Sequence, residues 1–137
     1  MKFMSHPIGV LLLLIGLAGC SRPDVERKID WIPSIPLGIE QAEAGQALFV
    51  YFRASWCGVC EQVEEEMGRT TRVADALDGF VPVKIDVDAQ PRAAEAYLAQ
   101  AVPSFLIVDR CGAVRARAIG YLDGEELADF LRAAKAQ

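Results

Sequence analysis

The chain has 137 residues, of which 24% are charged and 53% apolar, and its 19 acidic and 14 basic residues give a net charge of −5. This composition predicts one ordinary globular domain and excludes disorder for the bulk of the chain. The acidic balance also argues against nucleic acid or an anionic membrane surface as the main partner, since both require a basic face.

The N-terminus has the pattern of a secretory signal. Lys2 precedes an apolar run at residues 8–17, and small residues follow in Leu-Ala-Gly-Cys, which ends at Cys20. The run is about half as long as the roughly 20 residues of a membrane-spanning helix, so a permanent transmembrane helix is the weaker interpretation. We therefore predict a signal peptide at residues 1–19.

The Leu-Ala-Gly-Cys sequence resembles the lipobox of bacterial lipoproteins. The resemblance implies that Cys20 becomes the lipidated first residue of a mature protein outside the cytoplasm, periplasmic or otherwise extracytoplasmic. Ser21, by resemblance to enteric sorting, favours the outer membrane. Residues 20–28 would then be the lipidated cysteine and its tether, and residues 29–137 the folded domain. A plain signal peptide that leaves an incidental cysteine is the alternative.

The only histidine, His6, lies in the segment predicted to be removed. A mature chain without imidazole has no Ser-His-Asp or Cys-His couple and no zinc site of the mixed Cys/His kinds. Cysteine is therefore the residue type on which the chemistry depends.

The domain shows strand and helix patterns that alternate along the chain. The first elements are an edge strand at residues 29–32, an irregular connection imposed by Pro33 and Pro36, a short helix at 38–45 and a buried strand at 47–52. A helix at 57–67, a buried strand at 81–87 and a helix at 91–100 follow. The last elements are strands at 104–108 and 114–119, joined by a glycine-containing hairpin connection, and a helix that opens with a capping box of Asp123 and Glu126. This order predicts an α/β fold with a mixed sheet and helices on both faces.

A Cys-x-x-Cys motif formed by Cys57 and Cys60 directly follows a buried strand and opens a helix. In that context the motif indicates redox chemistry, because the N–H groups and dipole of the helix N-terminus stabilise a thiolate. Cys57 would attack a substrate disulfide and Cys60 would resolve the mixed disulfide, with no metal and no organic cofactor. Half of a zinc site, a Cu(I) site and a purely structural disulfide are the alternatives.

Residues 49–60, 83–88 and 101–104 resemble proteins of the thioredoxin fold, and the resemblance extends over roughly residues 29–134. The nearest variety is similar to the C-terminal periplasmic domain of the disulfide reductase DsbD and to thioredoxin-like lipoproteins, through residues 54–60, Glu64 and residues 119–123. The resemblance implies a central mixed sheet of four to five strands and thiol:disulfide oxidoreductase activity.

The same resemblance assigns roles to residues around the cysteines. Pro103 would be the cis-proline of the groove, and the backbone of Val102 would pair with a substrate strand. Trp56 would present an apolar wall to the substrate, and Glu64 would relay the proton of Cys60. The alternatives are an ordinary trans proline, a core tryptophan and a solvated surface glutamate.

One position departs from the family pattern. Thioredoxins and the DsbD domain carry a buried Asp where this chain has Tyr51, and a neutral phenol cannot act as a carboxylate base at neutral pH. Lys84, which matches a family lysine near that site, thereby loses its carboxylate partner. Cys111 is left unpaired in a surface hairpin, where we expect a tolerated free thiol.

These observations predict a lipid-anchored reductase of protein disulfides that receives electrons from a membrane donor. Gly58 and Val59 include no histidine of the kind found in strongly oxidising relatives, which favours reduction over oxidation. A reductase of apocytochrome c thiols is one alternative, although such relatives usually have proline where Val59 stands. A non-enzymatic module that holds Cu(I) or a client polypeptide is the other.

Overall fold

The computed structural model of the chain describes residues 27–137. The predicted signal peptide, Cys20, Ser21 and most of the tether lie outside the described residues. Within residues 27–137, each helix is too short or too polar to cross a lipid bilayer.

One mixed sheet forms the centre of the fold. Its strands in the described part of the chain are β1 (Ala47–Arg53), β2 (Phe80–Asp86), β3 (Ser104–Val108) and β4 (Val114–Ile119), in the spatial order β2-β1-β3-β4. β1 is parallel to β2 and antiparallel to β3, which is in turn antiparallel to β4. β1 and β3 are central and buried on both faces, which is why they are continuous apolar runs. The predicted mixed sheet is confirmed. The strand at residues 81–87, however, was expected to be buried, and it is β2 at the edge of the sheet, where burial alternates along the strand.

Helices cover both faces of the sheet, as predicted. They are α1 (Ile35–Gln41), α2 (Gly58–Arg69), α3 (Thr71–Ala76), α4 (Pro91–Ala96) and α5 (Gly124–Lys135). Successive side chains of β1 alternate between the faces. Phe49 and Tyr51 lie in the apolar cluster under α2, α3 and α5, whereas Leu48, Val50 and Phe52 lie in the cluster under α1 and α4.

The edge strand predicted at residues 29–32 is wrong. Only Ile32 pairs with β2: its N–H donates to the carbonyl of Pro82 at 2.9 Å, and its carbonyl accepts from the N–H of Lys84 at 3.0 Å. Pro33 follows at once and has no N–H to continue the ladder. The contact is therefore a single bridge.

One predicted helix begins earlier than expected, and another helix was not predicted. The helix expected at residues 38–45 begins at Ile35 after the cap residue Ser34, with Pro36 in its first turn. Proline fits there because first-turn N–H groups have no partner within the helix. The six-residue α3 was not predicted, although Val73 and Ala76 have helical spacing and face the core.

The capping box of α5 is confirmed. The Asp123 side chain accepts from the N–H groups of Glu125 and Glu126 at 2.9 and 2.8 Å, and Glu126 Oε2 accepts from the N–H of Asp123 at 3.0 Å. These bonds satisfy donors that the first helical turn leaves unpaired. The capping box thus fixes the start of α5 directly after the short loop from β4.

Candidate active site

The turn from β1 to α2 places both cysteines of the motif at the start of the helix. Cys57 is the N-cap of α2, and its Sγ accepts a hydrogen bond from the N–H of Cys60 at 3.1 Å. The two sulfurs form a disulfide between Cα atoms 5.2 Å apart. Cys57 is 6% exposed whereas Cys60 is fully buried. An incoming thiol can therefore approach Cys57 and not Cys60.

The segment before β3 lies against the accessible sulfur. Cys57 Sγ is 3.8 Å from the carbonyl oxygen of Val102, and the Val102–Pro103 peptide bond is cis. The carbonyl of Pro103 accepts from the N–H of Gly120, at 2.9 Å, which ties the segment to the loop after β4. The structure thus brings together Cys57, Val102 and Pro103; the predicted substrate-binding roles of the last two stay predictions.

Trp56 lies at the surface beside the disulfide. It is 69% exposed, so the alternative of a core tryptophan is wrong. Its indole Nε1 donates to the carboxylate of Asp88 at 2.8 Å. Val59 is also exposed. Sequence analysis did not identify Asp88 as a site residue, although Asp88 follows β2 at the sheet edge where the parallel strand β1 also ends.

Glu64 belongs to a polar network behind the disulfide. Its Oε1 accepts from Arg53 Nε at 2.9 Å and from the Tyr51 hydroxyl at 3.4 Å. Arg53 Nη1 also contacts Asp86 Oδ2 at 3.3 Å. Glu64 is thus ion-paired and partly exposed, and both its role as a proton relay and the alternative of a solvated surface glutamate stay predictions. Sequence analysis missed Arg53 and Asp86, which are partners in the β1–β2 register.

Tyr51 is fully buried under α2. Its ring stacks on Phe105 with centroids 5.3 Å apart and contacts Trp31 at 5.9 Å, and the carbonyl of Cys60, 3.3 Å from the hydroxyl, is a second acceptor within its reach. Burial, and then the negative charge of Glu64, raise the pKa of the Tyr51 phenol well above its ordinary value. The phenol therefore stays neutral and acts only through hydrogen bonds.

Lys84 lies on the same face of the sheet as Tyr51. Its ammonium is 5.1 Å from the centroid of the Trp31 ring, and it has no ion-pair partner within residues 27–137. Lys84, Trp31, Glu64 and Met67 help to line a cleft of about 490 Å³ on the flank of α2. Glu64 therefore belongs both to the polar network behind the disulfide and to the lining of this cleft.

Cys111 lies apart from this network in sequence and topology. It is exposed in the turn between β3 and β4, and it is the only free thiol in the described part of the chain. In residues 27–137, no three or more His, Cys, Asp or Glu side chains are grouped so that they could hold a metal ion. The sulfurs of Cys57 and Cys60 are thus the redox groups that the described site offers.

Comparison with known proteins agrees with this geometry. Residues 39–135 match the thioredoxin-like domain family. Thioredoxin H2 of Arabidopsis thaliana is 37% identical over 71 residues, which are 52% of this chain and 51% of that protein. A thioredoxin of Chlamydia trachomatis is 32% identical over 88 residues, which are 61% of this chain and 78% of that protein.

The solved structures show the same fold. Chloroplastic thioredoxin z superposes with a TM-score of 0.61 and 27% identity, over 81% of this chain and 97% of that one. The chain spans about half the length of the two plant thioredoxins of H type that it matches, 51% and 52%. Taken with the disulfide at the start of α2, the match over residues 39–135 shows that the chain belongs to the thioredoxin-like domain family.

Proposed function

We propose that the protein is a thiol:disulfide oxidoreductase that reduces disulfides in other proteins. The observation that carries the proposal is the disulfide of Cys57 and Cys60 at the start of α2, in which only Cys57 is accessible. A thiolate at this position gains from the helix dipole and from the N–H of Cys60. The carbonyl of Val102 and the exposed Trp56 border the same sulfur, where a substrate chain would lie.

The proposed reaction starts from the reduced pair. The Cys57 thiolate attacks one sulfur of a substrate disulfide, a mixed disulfide forms, and the first substrate thiolate leaves and takes a proton. Cys60 then loses its proton, and its thiolate attacks Cys57 Sγ. The bond between Cys57 and the substrate breaks, the second substrate sulfur leaves as a thiolate and takes a proton, and the enzyme disulfide forms. Two electrons pass from the enzyme dithiol to the substrate.

Glu64 is proposed as the group that takes the proton of Cys60. It lies one helical turn after Cys60, and the buried Tyr51 phenol, whose pKa is raised, cannot take that proton. A fully buried thiol requires such a base nearby, because the charged thiolate is unfavourable in an apolar environment.

The compartment and the direction of electron flow belong to the same proposal. The Leu-Ala-Gly-Cys sequence supports a lipid anchor on Cys20 and a place outside the cytoplasm. Gly58-Val59, which includes no histidine, supports reduction over oxidation, and residues 54–60, Glu64 and residues 119–123 support similarity to the C-terminal domain of DsbD. A reductase in that compartment needs a membrane protein that restores its dithiol. The substrate class is protein disulfides, and the electron donor is that membrane partner.

Trapping variants test the activity. In a Cys111→Ser background, Cys60→Ala should accumulate a covalent mixed disulfide with a protein substrate, whereas Cys57→Ser should neither trap nor reduce it. Mass spectrometry of the Cys57 peptide reads the adduct. Turnover that survives Cys57→Ser would contradict the proposal.

The reduction potential tests the direction. The pair is equilibrated against thiol buffers, and the Cys57–Cys60 peptide is quantified after thiol trapping. A potential near about −270 mV, as in thioredoxin, supports a reductase, whereas one near about −120 mV, as in the oxidase DsbA, would reverse the direction.

Detergent partitioning tests the anchor. The full chain expressed in a bacterial host should enter the detergent phase with an acylated N-terminal peptide that begins at Cys20. The Cys20→Ala variant should lose that peptide and its acyl mass. An unmodified Cys20 in the mature chain would contradict the anchor and leave the disulfide chemistry untouched.

A further inference from the structure

We infer that Tyr51 and Arg53 are positioning residues that hold one carboxylate oxygen of Glu64, so that the other oxygen is the one that takes the proton of Cys60. The inference rests on the proposed function, in which Glu64 serves Cys60. It adds which atoms act and which side chains place them.

The two oxygens of Glu64 have different surroundings. Oε1 accepts from Arg53 Nε at 2.9 Å and from the Tyr51 hydroxyl at 3.4 Å. Oε2 has no hydrogen-bond partner among residues 27–137. Two donors on a single oxygen fix the orientation of the carboxylate and leave the second oxygen with its lone pairs unoccupied. Oε2 is therefore the atom available to a proton.

Arg53 is itself held in place. It ends β1, and Asp86, its register partner at the end of β2, accepts from its Nη1 at 3.3 Å. The side chain of Arg53 is only 20% exposed. A guanidinium that spans two carboxylates presents its N–H groups in a fixed plane, which a lysine ammonium cannot reproduce. Arg53 thus connects the position of Glu64 to the frame of the sheet.

Tyr51 connects Glu64 to the backbone of Cys60. Its hydroxyl has one hydrogen and two acceptors in reach, the carbonyl of Cys60 at 3.3 Å and Glu64 Oε1 at 3.4 Å. A carboxylate is the stronger acceptor, so the hydrogen points to Glu64 while Glu64 is charged. Once Oε2 holds the proton, Oε1 becomes a weaker acceptor and the hydrogen can turn to Cys60. The hydroxyl changes its partner without losing its proton.

A two-step colour reaction separates the steps. The reduced full chain, carrying Cys20→Ala and Cys111→Ser, reacts with 5,5′-dithiobis(2-nitrobenzoate). The attack by Cys57 releases the first thionitrobenzoate, and the attack by Cys60 releases the second. The two phases of absorbance report the rates of attack and of resolution.

Glu64→Gln should slow the second phase about a hundredfold, the low end of the contribution of a positioned base, and should leave the first phase unchanged. Tyr51→Phe and Arg53→Lys should each slow the second phase several-fold. In the Glu64→Gln background neither should slow it further, because their effect passes through Glu64. Tyr97→Phe, which removes a phenol that packs on the other face of the sheet, is the control and should alter neither phase.

If Tyr51→Phe slows the second phase by the same factor with and without Glu64→Gln, the inference is overturned, because the effect of Tyr51 then does not pass through Glu64. Slowing of the first phase by Tyr51→Phe would overturn it as well. If Tyr51→Phe does not fold, Arg53→Lys at the end of β1 decides the same question. If the unsubstituted pair releases no thionitrobenzoate, the proposed function fails, whereas two phases that are insensitive to Glu64→Gln overturn this inference alone.

Discussion

The indole Nε1 of Trp56 donates a hydrogen bond to Asp88 Oδ2 at 2.8 Å, although Trp56 is 69% exposed. Asp88, in the loop after β2, thus fixes the orientation of the exposed Trp56 side chain, which directly precedes Cys57. Such a contact reduces the side-chain entropy that would otherwise be lost when a partner binds.

Loss of this contact should weaken the binding of protein substrates. We expect Asp88→Ala to raise KM for a protein disulfide about three- to tenfold, which corresponds to roughly 0.7–1.4 kcal/mol of lost preorganisation. The rate with a small aromatic disulfide should not change. Asp88→Asn retains an acceptor and is the control. An equal loss with both substrates would mean that Asp88 acts on the sulfur chemistry instead.

Leu98 has a backbone conformation that suits glycine. Its φ of 53° lies in the left-handed region, and it is 69% exposed, so its side chain gains little from packing. We expect Leu98→Gly to raise the free energy of unfolding by about 0.5–1 kcal/mol, since the left-handed strain of about 1–2 kcal/mol exceeds the extra chain entropy of glycine. Leu98→Ala keeps the strain and should give no gain. Urea unfolding measures both variants, and a less stable Leu98→Gly would refute the strain argument.

Gly38 lets α1 approach the sheet closely. A Cβ at this position would lie 2.7 Å from Val83 Cγ2 and 2.9 Å from Leu48 Cδ2, both in the core. Gly38→Ala should therefore lower the free energy of unfolding by about 1–2 kcal/mol, because overpacking exceeds the gain in helix propensity. Gly68 in α2 has no such neighbour within 4 Å, so Gly68→Ala should raise it by about 0.5–1 kcal/mol. Thermal unfolding compares the two, and equal effects would contradict the packing difference.

The buried phenol of Tyr51 should make the fold sensitive to alkali. Its pKa is raised in the folded state by burial and by Glu64, so folding favours the neutral form. The stabilisation is complete below the unfolded pKa of about 10 and declines as the pH rises through the folded pKa, at about 1.4 kcal/mol per pH unit.

Urea unfolding at pH 8 and pH 11 tests this expectation. Tyr51→Phe should lose less stability between the two pH values than the unsubstituted chain, by about 1.4 kcal/mol. Tyr121→Phe is the comparison: burial and the charge of Glu66 also raise the pKa of this half-exposed phenol, but less than at Tyr51, so this variant should reduce the loss less than Tyr51→Phe does. An identical decline in the Tyr51→Phe variant would show that the phenol does not titrate in this transition.

The parts of the fold that were predictable carry a local signal. β1 and β3 are continuous apolar runs because both faces of the sheet are covered, and the capping box of Asp123 and Glu126 is a contact between near neighbours in sequence. The cysteine motif likewise combines two residues with the helix that they open. For these features the chemistry and the structure that places it lie within one short segment.

The parts that were missed depend on register and on packing across the chain. Arg53 and Asp86 meet because β1 and β2 pair in one particular register, and the continuous apolar run of β1, which is buried on both faces, does not specify it. Asp88 and Trp56 meet for the same reason. α3 has six residues and no side-chain cap at Thr70, so it depends on its packing against α5 and lacks a start signal of its own.

The alternation of β1 has a consequence for how such a site can diverge. Tyr51 and Arg53 face the helix that bears the cysteines, whereas Val50 and Phe52 face the opposite layer. A substitution at position 51 or 53 therefore changes the proton donors near the disulfide while the layer under α1 and α4 keeps its packing. The acid–base groups beside the disulfide and the apolar layer on the opposite face are thus set by different residues of one strand.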